Sequence, residues 1–149
     1  DIKLSPYIFI KLNFIKYVEW PIENTKNTFQ IGVVGDSEIY DALTVLTTKR
    51  SSEGQKVEIK RFEERNSANY QMIFISNTNG KRSEELIKKY SAKGILIISE
   101  EEKGKSKLAG INLFNQDNKI RFEINLTSVK NNGMKVSSKL LELATKVHQ

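Results

Sequence analysis

The stretch LAGINLFNQDNKIRFEINL, residues 108–126, decides the fold because it contains the clearest strand signal of the chain. In its second half apolar residues alternate with polar ones, and the apolar positions are Ile120, Phe122, Ile124 and Leu126. A period of two is typical of a strand with one buried face. Residues 110–114 form a second extended run, and the intervening NQDN, residues 115–118, is rich in turn-forming side chains. The stretch therefore predicts an antiparallel hairpin.

The alternation also predicts a register for this hairpin. A loop formed by residues 115–118 places apolar side chains opposite apolar ones and polar opposite polar. The cross-strand pairs are then Leu113–Ile120, Asn112–Arg121 and Ile111–Phe122.

Shorter patterns predict further strands and helices along the chain. Apolar or alternating runs indicate strands at residues 29–34, 57–62, 72–76 and 95–98. Apolar residues at helical spacing behind capping residues predict helices. These begin at Ser5 (ending at Trp20-Pro21), Asp36, Ser83 and Ser137 or Ser138, with a short turn capped by Thr127. The last helix is expected to place Leu140, Ala144 and Val147 on one face.

Strands and helices alternate through most of the chain, which predicts the α/β class. We expect a single domain over residues 1–149 with a mixed, mostly parallel, roughly six-stranded sheet flanked by helices. The C-terminal antiparallel hairpin makes the sheet mixed.

Composition excludes several classes of function. The chain has no cysteine, and its single histidine, His148, lies one residue from the end. We therefore expect no disulfide, no metal, no cofactor and no catalytic pairing of histidine with serine or cysteine. The formal charge of +6 comes from lysines scattered along the chain, which favours a solvated surface over a nucleic-acid-binding patch. No apolar run approaches the ~20 residues of a membrane span, so direct membrane insertion is not expected.

Two local features are candidate sites. Gly35-Asp36 joins a predicted strand to a predicted helix. The free amides of such a junction can hold an anion, although this is also an ordinary strand-to-helix turn. Glu100, Glu101 and Glu102 follow one another in a charged loop, where solvation of all three is favoured over a catalytic carboxylate pair.

Six blocks of the sequence, taken in order and spacing, resemble the YfiR-like family. They are KYVEWP (16–21), IGVVGD (31–36), IFIS (73–76), GINLF (110–114), IRFEINL (120–126) and KVSSKLL (135–141). The resemblance spans nearly the whole chain. It implies a bacterial protein exported to the periplasm, with its signal peptide removed before Asp1, and a mixed sheet flanked by helices.

The resemblance also implies a function. Members similar to YfiR restrain a membrane-bound diguanylate cyclase by binding its periplasmic part, which lowers cyclic di-GMP and reduces biofilm formation. Other members are expected to serve other membrane sensors. The redox control that the disulfides of some members provide has no counterpart here, because the chain has no cysteine.

We therefore predict a non-enzymatic periplasmic regulator. Its expected partner is a membrane-anchored signalling protein, and it is expected to self-associate as a homodimer. The predicted recognition surface comprises exposed parts of the last helix and the polar face of the hairpin, with Asn112, Arg121, Glu123 and Asn125. A solvated Arg121–Glu123 pair, worth about 0–1 kcal/mol, is the alternative interpretation of that face.

Two other functional hypotheses remain. One is a small-ligand sensor with a cleft at Gly35 and Asp36, at the carboxyl ends of the parallel strands. The other is an enzyme, but the chain contains no Ser-x-x-Lys, no His-Glu-x-x-His and no nucleotide-binding glycine loop.

Overall fold

The computed structural model describes residues 17–19, 28–35, 40–41, 43–44, 56–76 and 80–149. Its strands are β1 (Val18–Glu19), β2 (Thr28–Val34), β3 (Lys56–Arg61), β4 (Met72–Ile75), β5 (Leu96–Ser99), β6 (Ile111–Gln116), β7 (Lys119–Asn125), β8 (Lys135–Val136) and β9 (Lys146–His148). All of the predicted strands are present within one or two residues of their expected bounds.

Seven of these strands form one sheet in the order β3-β2-β4-β5-β6-β7-β9. From β3 to β6 each strand is parallel to its neighbour, β7 is antiparallel to β6, and β9 is parallel to β7. The predicted mixed, mostly parallel α/β sheet is confirmed. It has one strand more than expected, because the C-terminal residues add β9 at the edge.

Apolar clusters cover both faces of the sheet, as the period of two requires. One face carries buried residues such as Phe74, Ile98 and Ile124, packed against side chains including Leu43 and Leu140. On the other face the middle strands carry a second cluster formed by Ile73, Ile75, Ile97, Leu86, Ile87 and Tyr90. Burying each such aliphatic or aromatic side chain contributes about 1.5–3 kcal/mol before the loss of conformational entropy.

The hairpin forms, but the predicted loop and register were wrong. Its loop is Asp117-Asn118 alone, with φ of 53° and 63°. Two consecutive residues in the left-handed conformation form a tight turn whose twist matches that of the paired strands. Apart from glycine, Asp and Asn are the residues that adopt this conformation most readily. The observed pairs are Leu113–Phe122, Asn112–Glu123 and Ile111–Ile124. Because the register moved by an even number of residues, every side chain stays on its predicted face.

The helices with defined bounds are α1 (Gly80–Tyr90), α2 (Leu126–Asn131) and α3 (Ser138–Leu143), and a 3-10 helix covers Glu64–Asn69. The predicted start of α1 at Ser83 was wrong, because Ser83 lies inside the helix and its buried hydroxyl donates to the Ser76 carbonyl at 2.7 Å. The predicted cap of α2 was also wrong, because Asn125 occupies the N-cap position and Thr127 lies within the helix.

The C-terminal residues follow the prediction only in part. Ser137 caps α3, and its hydroxyl accepts from the Leu140 N–H. The helix ends at Leu143, so Val147 lies in β9 and not on the predicted helical face. The open edge of β7 explains this change, because its backbone groups need partners. Thr145 N–H donates to the Phe122 carbonyl at 2.8 Å, and Val147 pairs with Ile124.

The N-terminal predictions fall largely outside the described residues, including residues 5–16 of the first helix. Val18, predicted on the apolar face of that helix, lies instead in β1, where it is buried and pairs antiparallel with Val136 of β8. β-Branched residues favour extended pairing of this kind. After β2, the described part of the next predicted helix is helical and includes the buried Leu43.

Candidate functional site

The polar residues of β6 and β7 lie on one face of the sheet but are not solvated. Asn112 and Glu123 are fully buried, and Asn125 is 6% exposed. The loop of residues 100–109, which connects β5 to β6 and is called the 100–109 loop below, covers them. The prediction that these three side chains form an exposed recognition surface was therefore wrong.

Glu123 is the centre of this buried polar network. Its Oε2 accepts from the Gly104 N–H at 2.9 Å and from Asn112 Nδ2 at 2.8 Å, and its Oε1 lies 2.6 Å from His148 Nε2. Burial alone would raise the pKa of Glu123, but the hydrogen bonds from Gly104, His148 and Asn112, with the charge of His148, outweigh it and lower the pKa. Since an ionised carboxylate only accepts, Nε2 of His148 carries the hydrogen of this bond.

Asn112 fixes the start of the loop because its side-chain amide bonds to both backbone groups of Glu101, as the backbone of a paired strand would. Its Oδ1 accepts from the Glu101 N–H at 2.8 Å, and its Nδ2 donates to the Glu101 carbonyl at 3.0 Å. The Ser99 hydroxyl donates to the same Oδ1 at 2.7 Å, and the Ser106 hydroxyl lies 3.0 Å from that of Ser99. One buried amide thus satisfies both backbone groups of Glu101.

Asn125 fixes the end of the loop. Its Nδ2 donates to the carbonyls of Ser106 at 2.8 Å and Ala109 at 2.6 Å. Ser128 adds a bond from its hydroxyl to the Leu108 carbonyl at 2.6 Å. Together with Glu123 and Asn112, these contacts hold the loop backbone at both ends and in its middle.

His148 is the functional candidate that the sequence analysis missed. It lies in β9, where its backbone pairs with Asn125. Its side chain is 37% exposed, so the imidazole connects the buried carboxylate to the surface. No sequence pattern marks this pairing, because it depends on how β9 adds to the sheet.

A cleft of about 470 Å³ lies beside His148. Its described lining residues include Lys107, Leu108, Asn125, Thr127 and His148, and the remainder are Ser91, Ala92, Gly104, Ser106, Ser128, Asn131 and Gln149. This volume is within the ~300–1,000 Å³ of typical small-ligand sites.

The cleft and Gly35 lie at different ends and sides of the sheet. The strand register places Val34 and Glu123 in line with each other across the sheet. Gly35 lies from that line towards the carboxyl ends of the parallel strands, whereas His148 lies from it towards their amino ends. β2 and β6 are also separated by β4 and β5, which is about 14 Å at the usual strand spacing. Gly35 is exposed with φ of 93°, and Asp36 lies outside the described residues.

Arg121 shares the sheet face of Glu123 but takes no part in the network. Its side chain is half-buried, and its Nε is buried without a hydrogen-bond partner among the described residues. Of the six predicted site residues, the structure therefore brings Asn112, Glu123 and Asn125 together and leaves Arg121 and Gly35 apart from them.

The outward side of the 100–109 loop is strongly charged. Lys105 pairs with Glu102 at 2.9 Å, and the Lys103 ammonium lies 5.7 Å from the centre of the Phe114 ring. Of the predicted glutamates, Glu101 is half-buried, and burial and then the charge of Glu84 raise its pKa. The described residues form no cluster of acidic and histidine side chains suited to a metal ion.

The comparisons with known proteins agree with the resemblance in the sequence blocks. A model of the YfiR/HmsC-like family matches residues 9–145, which is nearly the whole chain. A search of curated proteins gives no match. In the part of the chain that the structure describes, no helix is both long and apolar enough to cross a bilayer.

Proposed function

The chain belongs to the YfiR/HmsC-like family of periplasmic regulators, and we propose that it binds the periplasmic part of a membrane signalling protein without catalysing a reaction. The partner is a diguanylate cyclase or a sensor kinase, and with a cyclase the consequence is a lower level of cyclic di-GMP and less biofilm. The observation that carries the proposal is the family match over residues 9–145. Export with removal of a signal peptide, and formation of a homodimer, belong to the same proposal.

The geometry supports a recognition role for the 100–109 loop. Glu123, Asn112 and Asn125 hold its backbone, while Lys103 and Lys105 are exposed on its outer side. A loop that is already ordered loses little conformational entropy when a partner binds, so less of the interaction energy is spent on ordering it. We therefore place the partner-binding surface on the outer side of this loop, with Arg121 of the hairpin as a further candidate.

The loop surface defines a test of partner binding. Detergent-solubilised membranes of the source organism are passed over the immobilised chain, and retained proteins are identified by mass spectrometry. The variant Lys103→Gln/Lys105→Gln is compared with Lys81→Gln/Lys88→Gln, which removes the same charge from exposed positions of α1. We expect a membrane cyclase or sensor kinase on the unmodified chain and on the α1 variant, and a clear loss on the loop variant.

Each result has a distinct meaning. Equal losses on both double variants would point to non-specific attraction and contradict the loop assignment. Retention of no membrane signalling protein would contradict the proposed function itself. An Arg121→Ala chain with unchanged stability and unchanged retention would remove Arg121 from the surface. Sedimentation of the purified chain tests the homodimer, which a purely monomeric profile at high concentration would contradict.

The small-ligand sensor at Gly35 and Asp36 remains the alternative hypothesis. Its one structural support is the exposed Gly35 at the carboxyl end of β2, a usual location for ligands in open α/β sheets. It predicts ligand-dependent thermal stabilisation of about RT ln(1 + [L]/Kd) that the substitution Asp36→Asn abolishes. A melting temperature that does not change across nucleotides, amino acids and sugar phosphates would contradict it.

A further inference from the structure

The cleft beside His148 has one basic side chain without an ion-pair partner among the described residues, that of Lys107. No aspartate or glutamate is among its described lining residues, and Glu123, which holds His148 from behind, balances the charge of that ring when it is protonated. Thr127 and Asn131 add polar side chains, and Leu108, which is 46% exposed, adds an apolar one. A site of this composition favours a molecule with an anionic group and a small apolar part.

Lys107 differs from the other two lysines of the loop. Lys105 forms an ion pair with Glu102, and Lys103 lies against the Phe114 ring. Lys107 has no ion-pair partner among the described residues, and it is the one of the three that lines the cleft. Its charge is therefore available to an anion in the cleft, whereas the charge of Lys105 is already compensated within the loop.

The second contact is one nitrogen of His148. Its Nε2 is held at 2.6 Å by Glu123, which fixes the orientation of the ring. No side chain or backbone group of the described residues bonds to Nδ1, and the side chain is 37% exposed at the cleft. Nδ1 is therefore the nitrogen left for a ligand: it donates to a carboxylate or phosphate oxygen when it carries a hydrogen, and it accepts from a phosphate hydroxyl when it does not.

We propose that this cleft binds a small molecule carrying a carboxylate or phosphate group, with the anionic group held by Lys107 and His148. The site is distinct from Gly35 and from the outer surface of the 100–109 loop. Occupancy is also linked to the loop, because Gly104 both lines the cleft and donates to the carboxylate that holds His148. The binding site stands without a partner protein, and only its effect on partner affinity rests on the proposed function.

The test is an NMR titration of the ¹⁵N-labelled chain with phenyl phosphate, benzoate, inorganic phosphate and the neutral benzyl alcohol. We expect saturable shifts at the amides of Gly104, Ser106 and Thr127 with the anions, and none with benzyl alcohol. The relative affinities of phenyl phosphate and benzoate tell whether phosphate or carboxylate is preferred. Shifts of equal size with benzyl alcohol, or no saturation by any anion, would overturn the site.

A matched pair of lysine variants gives the second test. Lys107→Met is expected to weaken phenyl phosphate binding by about tenfold, the usual result of losing a charge-assisted contact, and Lys105→Met is expected to leave it unchanged. Equal weakening by both variants would show attraction to a basic loop and contradict a defined site. Both positions are exposed, so neither substitution disturbs the core.

The link to the loop has its own measurement. Saturating phenyl phosphate is expected to slow hydrogen exchange of the Gly104 amide and to leave the Phe62 amide, which bonds to the Val33 carbonyl far from the cleft, unaffected. Binding without a change at Gly104 would overturn the link but keep the site. Slower exchange at Gly104 with unchanged partner retention would contradict only the regulatory effect on the proposed partner.

Discussion

Removing the Glu123 carboxylate is the most direct perturbation of the network that holds the 100–109 loop. In Glu123→Leu, the Gly104 N–H and the Asn112 Nδ2 lose a buried acceptor. The buried Asn112 donor without a partner costs about 1–3 kcal/mol, and the Gly104 N–H, which lies on an exposed residue and can be partly hydrated, adds about 1 kcal/mol, so the free energy of unfolding is expected to fall by about 2–4 kcal/mol. His148 adds little to this loss, because its side chain is 37% exposed and can be hydrated.

The isosteric Glu123→Gln is expected to be milder. Its amide oxygen still accepts from Gly104 and Asn112, but neutral hydrogen bonds replace charge-assisted ones, which costs about 1–3 kcal/mol in total. The expected order of stability is therefore unmodified chain, then Gln, then Leu. The Leu variant is the least stable even though it is the most apolar side chain in a fully buried position.

Urea unfolding followed by far-UV circular dichroism measures these differences, and the Gln variant gives a value even if the Leu variant does not fold. Glu102→Gln is the control, because Glu102 is exposed and its ion pair with Lys105 is on the surface, so its effect should stay within about 0.5 kcal/mol. A Glu123→Leu chain as stable as the unmodified one would refute the reasoning, since it would show that the loop does not depend on the carboxylate.

Further predictions concern pH, the hairpin turn and the sheet core. The pKa of Glu123 lies below its ordinary value of 4.5, so the ionised carboxylate contributes its full stabilisation of the fold above about pH 4.5. This contribution is lost as the pH falls through the lowered pKa. In acid unfolding, the stability of Glu123→Gln should therefore decline less steeply over that range. At the turn, Asn118 has φ of 63°, so Asn118→Val should lower the unfolding free energy by about 1–2 kcal/mol while Asn118→Gly is neutral or stabilising, as chemical unfolding would measure. In Gly110→Ala the added Cβ would lie 2.8 Å from Leu96 Cδ1 and 3.2 Å from Val129 Cγ2, and thermal unfolding should reveal a loss of about 1–3 kcal/mol. An alanine variant as stable as the unmodified chain would mean that Leu96 moves without cost.

The strands were predictable because their apolar patterns depend only on local sequence. The continuous apolar runs of β4 and β5 lie in the middle of the sheet, where both faces are buried, and the alternation in β7 assigned each side chain to the correct face. The hairpin register was not predictable from the alternation alone, because a shift of two residues preserves both faces. The left-handed Asp117-Asn118 turn selects between the two registers.

The sequence pattern pointed to three residues of the buried network but not to their environment. Asn112, Glu123 and Asn125 alternate with apolar residues, and polar residues in that pattern usually face water. Here the 100–109 loop, which precedes β6, covers the face, and the polar groups pair with its backbone. His148 was missed for a similar reason, because its partner Glu123 lies 25 residues earlier in the chain and meets it only through β9.

The composition of the 100–109 loop explains why a buried polar network is needed. Its sequence EEKGKSKLA contains few apolar residues over 101–109, so hydrophobic burial contributes little to ordering it. Fixing each backbone residue costs about 1–2 kcal/mol, and the bonds from Asn112, Glu123 and Asn125 offset part of that cost. Because these bonds go to the backbone, the charged side chains of the loop remain exposed, so its outer charges can vary without loss of its conformation. Substitutions at Lys103 and Lys105 should accordingly change partner retention without changing stability, whereas substitutions at Glu123 should change both.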